Sequence, residues 1–269
     1  MTVDPKIVYV IADYGPTSDL AFAEVTQRLF MELEGFPVQI KEYSVPAFDT
    51  IATGFVLAQT AMNSQLGDRH LFFVNTAPRK DKKEARINNE GEGLVYARLT
   101  NGVGIVAVNS GYSLSFIKPM AEEIRAVNVS NDGTQFRSRD NYPKALGAMA
   151  RGEIEALLGD DVRDTVPDRV PDPCVVYTDG YGNLKCIVDE ESLKDLTGKD
   201  VTIEINGRER MVRVGTGIFD VMDGQFCFAR GSSGWKLPNG KEVRFWEVVL
   251  RGGNASKEFG HPPGGIKLS

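Results

Sequence analysis

The sequence predicts a two-domain protein: an α/β amino-terminal domain with a mainly parallel sheet and flanking helices, followed by an all-β carboxy-terminal domain. Three observations predict this arrangement. Apolar β-branched runs alternate with periodic segments in the first third of the chain, a proline-rich stretch follows at 162–173, and short strand-like runs separated by turn residues make up the remainder.

The first domain begins with strands and helices in alternation. The apolar run 7–13 is followed by the periodic segment 20–35, and the strand-like run 37–44 by a second periodic segment, 52–67. Both periodic segments end at a glycine, as helices commonly do. A third apolar run, 70–75, completes the order β-α-β-α-β, which is typical of a mainly parallel sheet covered by helices.

The end of the first domain is marked by proline. Three further strand-like runs (LVYARL, GVGIVAVN and EIRAVNV) precede MARGEIEALLG, which predicts a closing helix ending at Gly159. The segment 162–173 has three prolines in its last seven residues, so we predict a linker there. The predicted domains are therefore 1–166 and 174–269.

The second domain is predicted to contain strands and no long helix. Six short apolar runs, from CVVYTD to VRFWEVVL, are separated by turns that carry Gly, Asn or Asp. A sandwich or a small barrel is the expected architecture.

Composition narrows the classes of function. The 269 residues are 42% hydrophobic and 25% charged, and the net charge is −6, with basic residues dispersed. No apolar run reaches the length of a membrane span and the amino terminus lacks the features of a signal peptide, so we expect a soluble, cytoplasmic protein without a membrane partner. We expect no nucleic-acid partner either. The three cysteines are far apart and embedded in strand-like runs, which indicates buried thiols; the two histidines form no ligand cluster, and no metal is expected.

Residues at the ends of the predicted strands are the first candidates for a site. In an α/β sheet, ligands bind beyond the carboxyl ends of the strands. Asp13 ends the first apolar run and Asn75 the third. A carboxylate there is often a cap or turn residue, but it can also accept both hydroxyls of a ribose. The glycine motifs of P-loop and dinucleotide-binding proteins are absent, which argues against ATP hydrolysis and nicotinamide chemistry.

Three polar, glycine-rich loops distinguish the second domain. They are Asp179–Asn183, Arg230–Trp235 and Arg251–Ser256, and each follows a predicted strand. One such loop is simply a hairpin turn. Three in one β domain, with an aromatic residue, an Asn and Ser or Arg donors, indicate a site for a flat heteroaromatic ligand.

These segments resemble the S-adenosylmethionine (SAM) hydrolases, or SAM hydroxide adenosyltransferases, and their relatives the SAM-dependent fluorinase and chlorinase. The matching segments follow the family's order over nearly the whole chain: ADYGPTSD, EYSVPAFDTIATGFVLAQ, VAVNSG, QFRSRDNYPKALGAMARGE, YTDGYGNL, RGSSGW and RGGNAS. Each match alone is weak, whereas their shared order is fairly specific.

The resemblance implies an α/β domain, a carboxy-terminal β-barrel and a homotrimer, with SAM bound between one subunit's amino domain and its neighbour's carboxy domain. It implies displacement at the ribose C5′ of SAM, with methionine as the leaving group; water or hydroxide as nucleophile gives adenosine and L-methionine. No cofactor is implied beyond SAM as substrate.

The resemblance also assigns binding roles to individual positions. Asp13 would hold the ribose 2′ and 3′ hydroxyls, and Phe48 would pack on the ribose. Tyr181 and Asn183 would receive the adenine and the methionine end. The other predicted binding residues are Ser232 and Ser233 near the methionine carboxylate, Trp235 in the same segment, and Asn254 and Ala255 at the adenine edge.

Departures from the family pattern concern the nucleophile. Asn75, Lys82 (or Lys83) and Arg137 stand where the hydrolases carry an Asp, an Arg and a His thought to orient or activate water. Ser138 matches instead the fluorinase serine that hydrogen-bonds the halide. We therefore predict Asn75, Arg137 and Ser138 as the catalytic set, and three hypotheses follow: cleavage by water, transfer to another anion such as a halide, and SAM or adenosine binding without turnover.

Overall fold

The computed structural model describes residues 4–77, 92–130, 132–262 and 264–268. The chain forms two compact units, residues 1–169 and 170–269. The first unit contains a seven-stranded mixed sheet with flanking helices, and the second is a closed seven-stranded barrel. An α/β unit followed by a β-barrel is thus confirmed. The division between the units falls inside the predicted linker.

The first unit follows the predicted order of strands and helices. Its elements are β1 (Lys6–Ala12), α1 (Leu20–Glu32), β2 (Val38–Ser44), α2 (Thr50–Ala61), β3 (His70–Asn75), β4 (Leu94–Leu99), β5 (Gly104–Val108), β6 (Ala121–Val127), α3 (Arg137–Asp140), α4 (Tyr142–Arg151) and β7 (Leu158–Asp161). The predicted closing helix through Gly159 is wrong. Helix α4 ends earlier because Gly152, in the left-handed region with φ 74°, caps it.

The sheet is parallel in one part and antiparallel in the other. Its strand order is β2-β1-β3-β5-β4-β6-β7. Strands β2, β1, β3 and β5 run parallel, whereas β4, β6 and β7 are joined by antiparallel pairings. The prediction of a mainly parallel sheet therefore holds for the first four strands only. As a consequence, the amino-terminal end of β4 lies at the same sheet edge as the carboxyl ends of β1, β3 and β5.

Helices cover both faces of the sheet. Helices α1 and α4 pack on one face, where Phe22, Leu29 and Leu146 are buried together with Val10 and Phe73 of the strands. Helix α2 contacts β1 and β3. Full burial of each large apolar side chain contributes about 1.5–3 kcal/mol. No helix in the described part of the chain is long and apolar enough to cross a membrane.

Gly54 in α2 allows a close approach of the backbone at Tyr112 and Ser113. A Cβ at Gly54 would lie 2.6 Å from the carbonyl oxygen of Tyr112 and 3.2 Å from that of Ser113. We expect Gly54→Ala to lower the free energy of unfolding by about 1–3 kcal/mol because of this overlap, although alanine is the better helix former. Thermal unfolding measures the effect. Gly217→Ala, whose added methyl group meets no atom within 4 Å, is the matched control; a Gly54→Ala protein that melts no lower than this control would contradict the prediction.

The second unit is a closed barrel. Its elements are β8 (Cys174–Thr178), β9 (Leu184–Ile187), β10 (Asp200–Ile205), β11 (Arg208–Val214), β12 (Phe226–Lys236), β13 (Glu242–Leu250), α5 (Ala255–Glu258) and β14 (Gly264–Leu268). The strand order is β10-β11-β12-β13-β9-β8-β14. All six predicted strands are confirmed, whereas β14 and the single-turn helix α5 were not predicted. Phe228, Trp246 and Val248 belong to the apolar core of the barrel.

The three cysteines lie in the barrel unit as buried thiols that form no disulfide, as predicted. Burial raises the pKa of the Cys186 and Cys227 thiols. These side chains are therefore small apolar residues of the barrel.

Candidate functional site

A pocket of about 380 Å³ lies in the first unit, at the sheet edge where β1, β3 and β5 end. All five site residues predicted for this unit line it: Asp13, Phe48, Asn75, Arg137 and Ser138. Asp13 and Asn75 lie at the ends of β1 and β3, and separate loops or short helices supply the other three residues. The structure therefore brings the predicted ribose and nucleophile residues together, whereas Lys82 and Lys83 lie outside the described residues.

The carboxylate of Asp13 is positioned by backbone amides. The N–H of Phe48 donates to its Oδ2 at 3.0 Å, and the N–H of Ala77 is shared between Oδ1 at 3.3 Å and Oδ2 at 3.2 Å. The N–H of Asp13 itself donates to the carbonyl of Asn75 at 3.2 Å, which ties the ends of β1 and β3 together. A carboxylate has about four acceptor sites, so this geometry suits an acceptor for a diol as well as for amides.

Phe48 lies beside Asp13 in a strained backbone conformation. Its φ is 65°, in the left-handed region, which bulky residues rarely adopt and which costs on the order of 1–3 kcal/mol. The turn closes with a hydrogen bond from the N–H of Asp49 to the carbonyl of Pro46 at 3.1 Å. Asp49 then caps α2 by accepting from the N–H of Ala52 at 2.9 Å. Phe48 remains 36% exposed and gives the pocket an apolar wall.

Arg137 and Ser138 reach the pocket from the short helix α3. The adjacent Arg139 places Nε 2.7 Å from Oδ1 of Asp140 and forms an ion pair with it. Oδ2 of Asp140 accepts from the N–H of Thr134 at 3.1 Å and from its hydroxyl at 2.6 Å. The hydrogen bond from Arg139, and to a smaller extent that from Thr134, holds the pKa of Asp140 well below its ordinary value. These contacts tie helix α3, which carries Arg137 and Ser138, to the preceding residue Thr134.

Ser138 is buried next to the hydroxyl of Tyr14. Within the described residues this hydroxyl is enclosed and makes no hydrogen bond of good geometry. Burial raises the pKa of Tyr14 far above its ordinary value, and the nearby Ser138 side chain offsets only part of that effect. Tyr14 packs edge-on against Phe22 and Phe136. The pocket wall therefore contains two neighbouring protonated hydroxyls, of which the sequence analysis singled out one.

Glu92 is a carboxylate of the same pocket that the sequence analysis did not single out. It stands two residues before β4, whose Leu94 pairs with Val108 at the end of β5. The N–H of Asn109 donates to the carbonyl of Gly93 at 2.9 Å and continues this pairing toward Glu92. The direction of β4 could have revealed Glu92, because an antiparallel strand begins where its parallel neighbours end.

The described lining of the pocket carries an excess of negative charge. Asp13 and Glu92 are carboxylates and Arg137 is a guanidinium, which gives a formal sum of one negative charge. The guanidinium of Arg137 lies 5.5 Å from the centre of the Tyr142 ring, and its Nη2 donates to the carbonyl of Glu92 at 3.4 Å. Burial raises the pKa of Tyr142. The charge of Arg137 acts in the opposite direction, and the charge of Glu92 raises this pKa further. Such a lining favours a ligand with positive charge.

Two of the glycine-rich loops of the barrel unit meet each other. The N–H of Ser256 donates to the carbonyl of Gly182 at 2.8 Å. Gly182 lies so near the amide of Asn254 that a Cβ would come within 2.2 Å of it. The predicted residues Tyr181 and Asn183 are thus brought together with Asn254 on one surface of the barrel unit.

The remaining predicted barrel residues differ in exposure. Ser232 and Ser233 lie on β12 at a register shift between Arg230 and Gly234, the former exposed and the latter half-buried. Trp235 is 5% exposed and packs against Phe245, and the Ala255 side chain is fully buried. Tyr181, 81% exposed, is therefore the predicted aromatic side chain that this surface presents to solvent.

Lys185 connects strand β13 to the loop that carries Tyr181. Its Nζ lies 2.7 Å from Oε1 of Glu247 and 3.0 Å from Oδ2 of Asp179. Oδ1 of Asp179 accepts from the N–H groups of Tyr181 and Asn183, both at 3.0 Å. Burial disfavours the charged forms of Lys185 and Asp179, but their ion pairs stabilise these forms more strongly. The pKa of Lys185 is therefore raised and the pKa of Asp179 is lowered.

An α/β unit with a pocket at the ends of its parallel strands, followed by a seven-stranded barrel, defines the structural class of this protein. Two solved structures share the fold over nearly their whole length. An uncharacterized conserved protein from Thermotoga maritima is 15% identical, with 97% of this chain and 99% of that chain covered and a TM-score of 0.70. A conserved hypothetical protein from Thermus thermophilus is 20% identical, with 98% and 100% covered and a TM-score of 0.66. No protein-family model and no curated protein matches the sequence.

Proposed function

We propose that this protein cleaves SAM: water displaces methionine at the ribose C5′ and the products are adenosine and L-methionine. The observation that carries the proposal is the shared pocket of Asp13, Asn75, Arg137 and Ser138. Asp13 is positioned to accept hydrogen bonds from the two hydroxyls of a diol. Asn75 and Arg137 stand at two positions where the SAM hydrolases carry water-orienting residues, and Ser138 matches the serine of the fluorinase. The co-linear order of the matching segments supports the same function.

The charges of the pocket suit this reaction. SAM carries a sulfonium cation, and the described lining has one excess negative charge. As the C5′–O bond forms, the electron pair of the C5′–S bond moves to sulfur and the cation becomes neutral methionine. The pocket must hold the nucleophile in line at about 3–3.5 Å from C5′ and exclude bulk water. Asn75 and Ser138 would orient the water by hydrogen bonds.

The proposal extends to the assembly and to the barrel unit. The protein would be a homotrimer in which barrel loops of a neighbouring chain complete each pocket. Tyr181 and Asn183 would contact the adenine and the methionine end, with Asn254 at the adenine edge. Neither a metal nor a cofactor would take part. Light scattering on the purified protein tests the trimer.

Transfer to another anion is a second candidate function. The observation that favours it is the buried pair of hydroxyls, Ser138 and Tyr14, next to Arg137 in the lining. Hydroxyl and guanidinium donors suit a halide, a small oxyanion or a thiolate. The product would then be a 5′-substituted adenosine in place of adenosine.

Incubation of the purified protein with SAM separates these functions. Mass spectrometry follows methionine and adenosine in halide-free buffer and in buffer with chloride or bromide. We expect methionine and adenosine in equal amounts, and none with heat-denatured protein. A 5′-halogenated adenosine would support the second candidate instead. Tight SAM binding without either product would identify a binding protein, and absence of binding would reject the SAM assignment.

A further inference from the structure

We propose that Glu92 is the general base of this reaction and that its carboxylate accepts the proton of the attacking water. The inference rests on the proposed cleavage of SAM by water. It adds a catalytic residue at a position that none of the matching segments contains.

Attack by water releases a proton inside the pocket. The C5′–O bond forms, the C5′–S bond breaks with its electron pair on sulfur, and one O–H bond of the water breaks to leave the 5′-hydroxyl of adenosine. One proton is therefore released for each sulfonium that is neutralised. The side chains predicted as the catalytic set cannot take it, because the Asn75 amide, the Ser138 hydroxyl and the Arg137 guanidinium are not bases at neutral pH.

Two carboxylates, Asp13 and Glu92, stand among the described residues of the lining. Asp13 accepts the amides of Phe48 and Ala77 at 3.0–3.3 Å, and the proposed function adds the ribose hydroxyls. The proposed function therefore assigns Asp13 to the ribose, and Glu92 is the second carboxylate of the described lining.

The fold places Glu92 on the nucleophile side of the pocket. The antiparallel pairing of Leu94 with Val108 brings the start of β4 to the end of β5. The hydrogen bond from Nη2 of Arg137 to the carbonyl of Glu92, at 3.4 Å, joins this segment to helix α3, which also carries Ser138.

Glu92→Gln tests the role with little change of shape. We expect its kcat for adenosine formation to fall by roughly 10²-fold, in the range of general-base catalysis. The KM for SAM should rise modestly, because glutamine keeps the size of the side chain but removes the excess negative charge of the lining. The rate of the wild-type enzyme should fall at acidic pH as the base becomes protonated, and this acidic limb should be missing from the pH profile of the variant.

Azide gives a readout that a purely structural role would not produce. Azide attacks as an anion and has no proton to lose, so the variant and the wild-type enzyme should form 5′-azido-5′-deoxyadenosine at similar rates. Glu122→Gln is the matched control, since Glu122 lies on β6 beside Arg98, 3.6 Å from its Nε, and does not line the pocket.

The outcomes separate the two proposals. Unchanged adenosine formation by Glu92→Gln would overturn the general base and leave SAM cleavage standing. An equal loss with water and azide would show a structural role and would also overturn it. A wild-type enzyme without turnover on either nucleophile would overturn both.

Discussion

Asp13→Ala is expected to lower the affinity for SAM by about 10²- to 10⁴-fold. Hydrogen bonds from two ribose hydroxyls to a charged acceptor contribute about 1.5–3 kcal/mol each, and 1.4 kcal/mol is about a tenfold change in affinity. The carboxylate is already oriented by the amides of Phe48 and Ala77, so little ordering opposes binding. Isothermal titration calorimetry with SAM measures the loss.

The same substitution also releases Phe48. The amide of Phe48 donates to Asp13 at 3.0 Å, and this bond helps to hold the φ of 65°. Without it, the backbone can relax to an ordinary conformation and the aromatic wall of the pocket is lost. Asp13→Asn separates the two effects, because it keeps one acceptor oxygen for the amides and loses the charge. Its affinity should lie between that of the wild type and that of the alanine variant.

Asp68→Ala is the control for Asp13→Ala. Asp68 lies just before β3, at the opposite end of the strand from the pocket, with its side chain 82% exposed. Its affinity for SAM should equal that of the wild type. If the Asp13→Ala protein folds normally and binds SAM as tightly as this control, the ribose lies elsewhere and the assignment of the pocket fails.

Local patterns predicted most of the fold because they depend on near neighbours in the chain. Strands β1, β2 and β3 are continuous apolar or alternating runs, and helices α1 and α2 have helical periodicity. Strand β14 was missed because GGIKL begins with two glycines and takes its strand partners, β8 and β10, from distant parts of the chain. The end of α4 was misplaced because apolar residues continue past Gly152.

The sequence predicts the pocket residues that lie at the ends of strands. It does not predict the pocket residue whose position depends on the direction of its strand. Asp13 and Asn75 follow from the rule that ligands bind at the carboxyl ends of parallel strands. Glu92 precedes a strand. If all strands were parallel, Glu92 would lie at the opposite edge of the sheet from the pocket. The pairing of Leu94 with Val108, which reverses β4, is a long-range contact that no local pattern records.

The charged cluster around Lys185 was missed for a related reason. Lys185 lies between Leu184 and Cys186, and such alternation is typical of a strand with one face in solvent. In the structure this face is covered, and Gly231 lies so close that a Cβ would be 2.0 Å from Oε1 of Glu247. The loops that cover a strand cannot be identified from the strand itself.

Lys185→Met is expected to destabilise the barrel unit by about 3–5 kcal/mol. The Lys185 side chain is 9% exposed and neutralises Asp179 and Glu247, which are 21% and 13% exposed. Methionine is of similar length but carries no charge, so two buried carboxylates would remain without their cation, and removal of one partner from a buried ion pair costs about 3–5 kcal/mol. Both tryptophans of the chain, Trp235 and Trp246, lie in the barrel unit, so urea unfolding followed by tryptophan fluorescence reports on this unit.

The pH dependence should distinguish a lost ion pair from lost packing. In the wild type the pKa of Asp179 is lowered, so its contribution to stability is present above the ordinary carboxyl pKa and is lost as the pH falls through the lowered value. The pKa of Lys185 is raised, so its contribution is lost only as the pH rises past the ordinary lysine range. In Lys185→Met, protonation at acidic pH relieves the repulsion between the carboxylates, and the difference from the wild type should shrink. Lys194→Met, which removes an exposed pair with Glu191, should change stability little at any pH; a Lys185→Met protein that is as stable as Lys194→Met at every pH would contradict the prediction. It would mean that the buried charges are screened by water and do not hold the loop of Tyr181.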